Sequence, residues 1–122
     1  MQRILLVDDS EVLRNQLGEI LRKASYEVLV AENGNSGYRE AERNTDLSLI
    51  IADYNMPDIN GIMMVEQIRQ LGHHQRTPIF MLTTESSVDL RNKGLARGVN
   101  AWVVKPFKPD KLLKGIAEIL VR

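Results

Sequence analysis

Three aspartates, two threonines and one lysine stand where runs of apolar residues stop. Asp8 and Asp9 follow "RILLV" (3–7), and Asp53 follows "LSLIIA" (47–52). Thr83 and Thr84 follow "PIFML" (78–82), and Lys105 closes "AWVVK" (101–105) just before Pro106. If those runs are strands of one parallel sheet, all six side chains meet at one rim. Three carboxylates within a few ångströms repel one another, and at least one takes up a proton unless positive charge is close. A hard divalent cation or an ammonium can hold them ionised. All-oxygen donors without His or Cys suit Mg²⁺ far better than Zn²⁺, and Lys105 is the fitting ammonium. An ionised aspartate beside Mg²⁺, a lysine and a hydroxyl suits phosphoryl transfer to a carboxylate. Metal and amine neutralise charge on the transferring oxygens, and aspartate is a known type of covalent nucleophile. Each residue alone has a plainer use. An aspartate after a strand commonly opens a turn or caps a helix, a lysine before proline is commonly exposed, and Thr-Thr suits a strand end. The bland reading loses force because all of them arrive at the same edge.

The elements that must position them are short. The four runs above, with "EVLVA" (27–31), make five candidate strands. They lack polar alternation, as strands buried on both faces do. Between them lie helix-period segments at 10–24, 35–44, 61–71, 86–97 and 109–121. The first carries the apolar stripe Leu13, Leu17, Ile20, Leu21 and Ala24, with Asp9 or Ser10 as its cap. The last carries Leu112, Leu113, Ile116, Ile119 and Leu120, and Pro109 suits its first turn. Segment 35–44 offers only Tyr38 and Ala41 to a core. Segment 86–97 offers Val88, Leu90 and Leu95, and Gly94 inside it costs ~1 kcal/mol relative to Ala. It is expected to be the softest helix. Gly34 and Gly37 are read as serving the turn into the second helix. The pattern is α/β, (βα)5: a doubly wound parallel five-stranded sheet with the flavodoxin-like strand order 2-1-3-4-5. Ligands of such sheets bind outside the carboxyl ends of the strands, near the switch point between strands 1 and 3. That places the chemistry at Asp8, Asp9 and Asp53.

Bulk composition fits one domain, residues 1–122, with 43% apolar residues and one core. Sixteen basic and 16 acidic residues cancel, which gives no sign of a nucleic-acid or membrane surface. The absence of cysteine excludes disulfides, thiolate metal sites and thiol catalysis. No apolar run is long enough to span a bilayer, and the first residues do not read as a signal peptide. A cytoplasmic location is the expectation.

At these residues the chain resembles a response-regulator receiver domain, over essentially its whole length. "LLVDDS" resembles the family's acidic pair, and "IIADYNMPDING" its phosphoacceptor segment, with D-x-x-M-P-x-x-x-G intact from Asp53 to Gly61. "MLTTE" resembles the hydroxyl motif of the fourth strand, and "GVNAWVVKPF" the lysine segment of the fifth. Any one is weak, but four in order at these spacings are specific. The resemblance implies phosphorylation of Asp53, and Mg²⁺ held directly by Asp9, through water by Asp8, and by Asp53 and the backbone carbonyl of Asn55. It also implies that Thr83 moves to the phosphoryl group, that Lys105 pairs with a phosphoryl oxygen, and that the peptide before Pro106 is cis. Trp102 occupies a switch position where the family commonly has Tyr or Phe. An indole is larger and needs an N–H partner when buried, so either switching or plain packing is open. Asn55 and Glu85 flank the path of the hydrolytic water, resembling the fast-turnover chemotaxis members. A phosphoryl lifetime of seconds to minutes is expected.

The implied partners are a histidine kinase and a downstream protein bound through the surface of the fourth helix, fifth strand and fifth helix. The chain ends directly after the last helix. This fits a single-domain, chemotaxis-type regulator that catalyses only its own phosphorylation and dephosphorylation, is monomeric, and binds a flagellar motor switch protein. A phosphorelay intermediate feeding a histidine phosphotransfer domain, or a receiver taken from a longer regulator, are the alternatives. An Asp-based phosphatase needs a second aspartate where Asn55 stands. A flavodoxin-like flavin binder needs a phosphate loop where Asp8, Asp9 and Glu11 would repel phosphate. His73 and His74 in "LGHHQRTP" could bind metal or phosphate, but exposed loop histidines are the expectation.

Overall fold

The computed structural model describes residues 1–121. Five strands and five helices alternate: β1 (Arg3–Val7), α1 (Glu11–Lys23), β2 (Glu27–Ala31), α2 (Gly34–Arg43), β3 (Leu47–Ala52), α3 (Gly61–Arg69), β4 (Ile79–Thr83), α4 (Val88–Ala96), β5 (Ala101–Val104) and α5 (Pro109–Leu120). All strand pairings are parallel and the order is β2-β1-β3-β4-β5, the doubly wound arrangement the apolar runs imply. β4 and β5 each end one residue from the expected position. Thr83 is the last residue of β4, and Lys105 lies just beyond β5.

The sheet separates two cores. On one face Leu5, Val7, Ile50 and Met81 meet α2, α3 and α4 through Ala41, Met64, Ile68 and Leu90. On the other, Ile4, Leu6, Ile51 and Phe80 meet α1 and α5 through Leu17, Leu21, Leu112 and Ile116. β4 is buried throughout, and β1 and β3 nearly so. The edge strands β2 and β5 are partly exposed, because an edge strand is covered on fewer sides. No helix among the described residues is long and apolar enough to cross a membrane.

The helix starts follow capping chemistry. Ser10 accepts from the Leu13 N–H, Asn60 from Met63 and Ser87 from Leu90, each satisfying an amide that the first turn leaves unpaired. Four expectations are revised. Gly37 does not serve a turn. It lies inside α2, as the expected helix 35–44 has it, and a Cβ there would come within 2.9 Å of Met64 Sδ and both Val7 methyls. Gly34 likewise is the first residue of α2 itself, pressed against Ile59. Val88 and Leu95 are not core contacts, being 69% and 41% exposed. Gly94 is instead the buried residue of α4, at the closest approach to β5.

Candidate functional site: an acidic rim bridged by a lysine

The register brings the rim together. Val7 pairs with Ala52 across β1 and β3, so the next residues, Asp8 and Asp53, emerge side by side. Their backbones stay in the ladder for one further step. Asp53 N–H donates to the Val7 carbonyl (3.0 Å), and Asp8 N–H to the Ala31 carbonyl (3.1 Å). Asp8, Asp53 and Thr83 are buried, while Asp9 is exposed. Lys105 is brought in by its own N–H, which donates to the Thr83 carbonyl (2.8 Å), and the following Lys105–Pro106 peptide is cis.

The ammonium of Lys105 bridges two strands' aspartates. Nζ lies 2.9 Å from Asp8 Oδ2 and 3.0 Å from Asp53 Oδ2. The second oxygen of each carboxylate is held by the backbone: Asp8 Oδ1 accepts from Ser10 N–H (2.9 Å), and Asp53 Oδ1 from Asn55 N–H (3.1 Å). Burial pushes the Asp8 carboxyl up, and the Ser10 amide and the Lys105 charge offset that only in part. Burial pushes Lys105 down, but its bonds to Asp8 and Asp53 outweigh it and raise the ammonium above its usual value.

One carboxylate oxygen from each of Asp8, Asp9 and Asp53 lies within 4.8 Å of the others. One ammonium cannot neutralise three carboxylates, so the rim retains negative charge at a cluster of hard oxygen donors. That donor set fits Mg²⁺.

Around this cluster, Glu85 joins three positions singled out from the sequence. Its N–H donates to Thr83 Oγ1 (3.3 Å) and its carboxylate accepts from Asn55 Nδ2 (3.1 Å). Its backbone carbonyl accepts the indole N–H of Trp102 (2.8 Å). Trp102 is therefore packed inward, 8% exposed, with its N–H satisfied. Its ring lies over Gly94, where a Cβ would sit 2.7 Å from Cζ3, and faces Tyr54 at a centroid distance of 6.3 Å.

The two histidines meet edge-on at a ring-centroid distance of 4.4 Å but differ in burial. His73 is exposed, but His74 is fully buried, contrary to the expectation of an exposed pair. The His74 Nε2–H donates to the carbonyls of Ala41 (2.8 Å) and Asn44 (2.7 Å) at the end of α2. Its Nδ1 accepts from the Thr77 hydroxyl (2.8 Å). His74 is thus a satisfied buried group, well away from the acidic rim. Two contributors were missed from sequence, Gly94 as the seat of the indole and the Glu85 carbonyl as its acceptor. Only the unusual size of Trp102 hinted at either.

Comparison with known proteins agrees with this geometry. Residues 4–117 match the model of the response regulator receiver domain. The chain is 35% identical to chemotaxis protein CheY1 of Helicobacter pylori, over 97% of this chain and 96% of that one. It is 33% identical to the transcriptional regulatory protein SrrA of Staphylococcus aureus, over 98% of this chain but 48% of that longer one. The chemotaxis protein CheY4 of Vibrio cholerae superposes with a TM-score of 0.93 at 38% identity, covering 98% of this chain and 99% of that one. The receiver domain of sensor histidine kinase PA1611 of Pseudomonas aeruginosa, whose structure has a magnesium ion in the active-site cleft, superposes at 0.91 with 30% identity, covering 99% and 98%. With the acidic rim, the strand order and the matched residues in agreement, this chain belongs to the response regulator receiver family of two-component signalling.

Proposed function

We propose that Asp53 is the phosphoacceptor and that its phosphorylation changes the affinity of this chain for a protein partner. The observation that carries the reading is the Lys105 ammonium set 2.9 and 3.0 Å from Asp8 and Asp53 in a rim that stays acidic. One oxygen of Asp53 attacks the phosphorus of a donor, a kinase phosphohistidine or a small phosphodonor. The bond from phosphorus to the donor atom breaks, and a mixed anhydride forms. Lys105 follows the charge to a phosphoryl oxygen, and the Asn55 N–H already faces the acceptor carboxylate. Asp8, Asp9 and Asp53, with the Asn55 carbonyl, would hold Mg²⁺. When bound, the ion supplies charge neutralisation on the transferring oxygens.

The acyl phosphate adds negative charge and acceptor oxygens. The buried Thr83 hydroxyl, now engaged by the Glu85 amide, is drawn toward them. Because Glu85 also carries the Trp102 hydrogen bond, movement of this residue reaches β5 and the α4–β5–α5 surface. Asn55 and Glu85, already bonded to each other, shape the approach of the hydrolytic water and favour a lifetime of seconds to minutes. A half-life of many hours contradicts that assignment. The chain turns over only its own phosphoryl group and acts as a cytoplasmic monomer. A histidine kinase is upstream and a chemotaxis-type target such as a flagellar motor switch protein is downstream.

In the phosphorelay alternative, as in the kinase reading, a histidine-bearing helix must reach the rim. An apolar groove between α1 and the turn after β5, lined by Leu13, Ile20, Pro106 and Phe107, has Lys105 at its rim. A histidine-bearing helix seated there, from a phosphotransfer domain or from the kinase, would meet the side chain of Lys105, whose ammonium bonds Asp53.

Beryllofluoride with Mg²⁺ tests the switch. The Trp102 emission is expected to change, and to stay constant in Asp53→Asn. Unchanged emission of the wild type under saturating ligand contradicts transmission through Glu85.

A further inference from the structure

The loop from Tyr54 to Asn60 is fixed at its ends and also in its middle. At its start, Asn55 N–H donates to Asp53 Oδ1. At its end, Gly61 N–H donates to the Tyr54 carbonyl (2.8 Å), and Gly61 lies against the Asp53 carbonyl with no room for a Cβ. In the middle, Asp58 reaches across to α2. Its Oδ1 accepts from Gly34 N–H (3.0 Å) and its Oδ2 from Asn35 N–H (2.7 Å). Ile59 packs on Gly34, where a Cβ would strike both its side chain and its carbonyl.

The helix has its own cap. Asn33 Oδ1 accepts from Ser36 N–H (2.8 Å), and Ser36 Oγ accepts from Asn33 N–H (3.2 Å), a capping box. The amides of Gly34 and Asn35 are left to Asp58. Desolvation pushes its carboxyl up, but the amides of Asn35, Ile59 and Gly34 together outweigh it and hold the group below its usual value. The contact therefore uses a helix that is closed without it as an anchor for the loop. Pro57 lies between Asp58 and Asn55, and its ring fixes φ. That removes one of the torsions through which a displacement at 58 could be absorbed before 55.

We infer that Asp58 is a positioning residue: by clamping the loop onto the first turn of α2, it places the backbone at Asn55 for the metal shell beside Asp53. The inference rests on the reading of Asp8, Asp9 and Asp53 as a Mg²⁺ site. A backbone carbonyl ligand cannot be re-aimed by a rotamer, so its position is that of its loop. Groups that orient ligands affect metal affinity although they never touch the ion.

The test titrates Mg²⁺ into the wild type and three variants, following the backbone amide NMR shifts of residues 53–55. Urea midpoints are measured without the ion. Asp58→Ala is expected to weaken Mg²⁺ binding roughly tenfold, the low end for outer-shell partners, and to speed amide exchange across 54–60. Asp58→Asn, which can accept one amide but not two, falls between. Asn33→Ala removes the helix's own cap and leaves the clamp, so it lowers the urea midpoint with Mg²⁺ affinity unchanged. Wild-type affinity in Asp58→Ala overturns the inference, as does an equal loss in Asn33→Ala, which would assign the effect to helix fraying. A wild type that binds no Mg²⁺ instead overturns the reading of the acidic rim.

Discussion

At the scale of single residues, Lys105 holds the acidic rim together, and its two roles pull in opposite directions. Its ammonium occupies oxygens of Asp8 and Asp53 that a metal ion would also use under the proposed function, in which Lys105 is also the donor that follows charge onto the phosphoryl group. Lys105→Ala is therefore expected to bind Mg²⁺ severalfold more tightly, because like charges at this range repel. It is expected to accept phosphate from acetyl phosphate ~10²-fold more slowly, the usual cost of one preorganised donor. Titration and single-turnover phosphorylation measure the two separately, and weaker metal binding in the variant contradicts competition at those oxygens. These residues were legible before any coordinates because each ends an apolar run, and strand ends in a parallel sheet share a rim. The Glu85 carbonyl that receives the Trp102 N–H was not legible, since a backbone acceptor has no signature in residue type.

Helices and strands carry constraints that side-chain types do not announce. Gly94 reads as a weak point of α4, but the structure makes it the place where α4 admits the indole of β5. Gly94→Ala would gain ~1 kcal/mol of helix propensity, and the 2.7 Å approach to Cζ3 would cost about 1–3 kcal/mol in overpacking. A net loss of about 1 kcal/mol is expected in the wild type. With Trp102→Leu, which removes the six-membered ring, the same change is expected to stabilise. Urea unfolding of the four proteins checks this, and one sign in both backgrounds contradicts a size-matched pair. At the opposite end of the sheet, His74 ties the α3–β4 loop to the end of α2. Burial pushes its imidazole below the ordinary 6.5, the Asn44 and Ala41 carbonyls oppose this, and the charges of His73 and Arg69 add to it. The unfolded chain thus binds more protons between the lowered value and 6.5, so this contribution is complete above that window and is lost as pH falls through it. Wild type should lose more stability than His74→Asn between about pH 7.5 and about pH 5, and parallel losses contradict the assignment. A histidine in a polar loop gives no sequence sign of such burial, because the carbonyls that satisfy it come from another helix.

Across the whole molecule, the strand order does most to create function. Placing β1 between β2 and β3 sets Asp8 beside Asp53, and β4 next to β5 lets Lys105 bond to Thr83 while reaching both aspartates. Alternating apolar runs and helical segments were enough to anticipate that order, because short right-handed crossovers leave few topologies. The interior of the β3–α3 loop was not anticipated, since Asp58 reads as an ordinary turn residue until α2 is seen beside it. The central claim is that this assembly makes Asp53 a phosphoacceptor. The most direct measurement is intact-protein mass after incubation with acetyl phosphate and Mg²⁺, with the modified residue mapped by peptide mass spectrometry. The expected result is the added mass of one phosphoryl group on Asp53, absent from Asp53→Asn and absent when the metal is chelated. Phosphate on another residue, or full modification of Asp53→Asn, would contradict it.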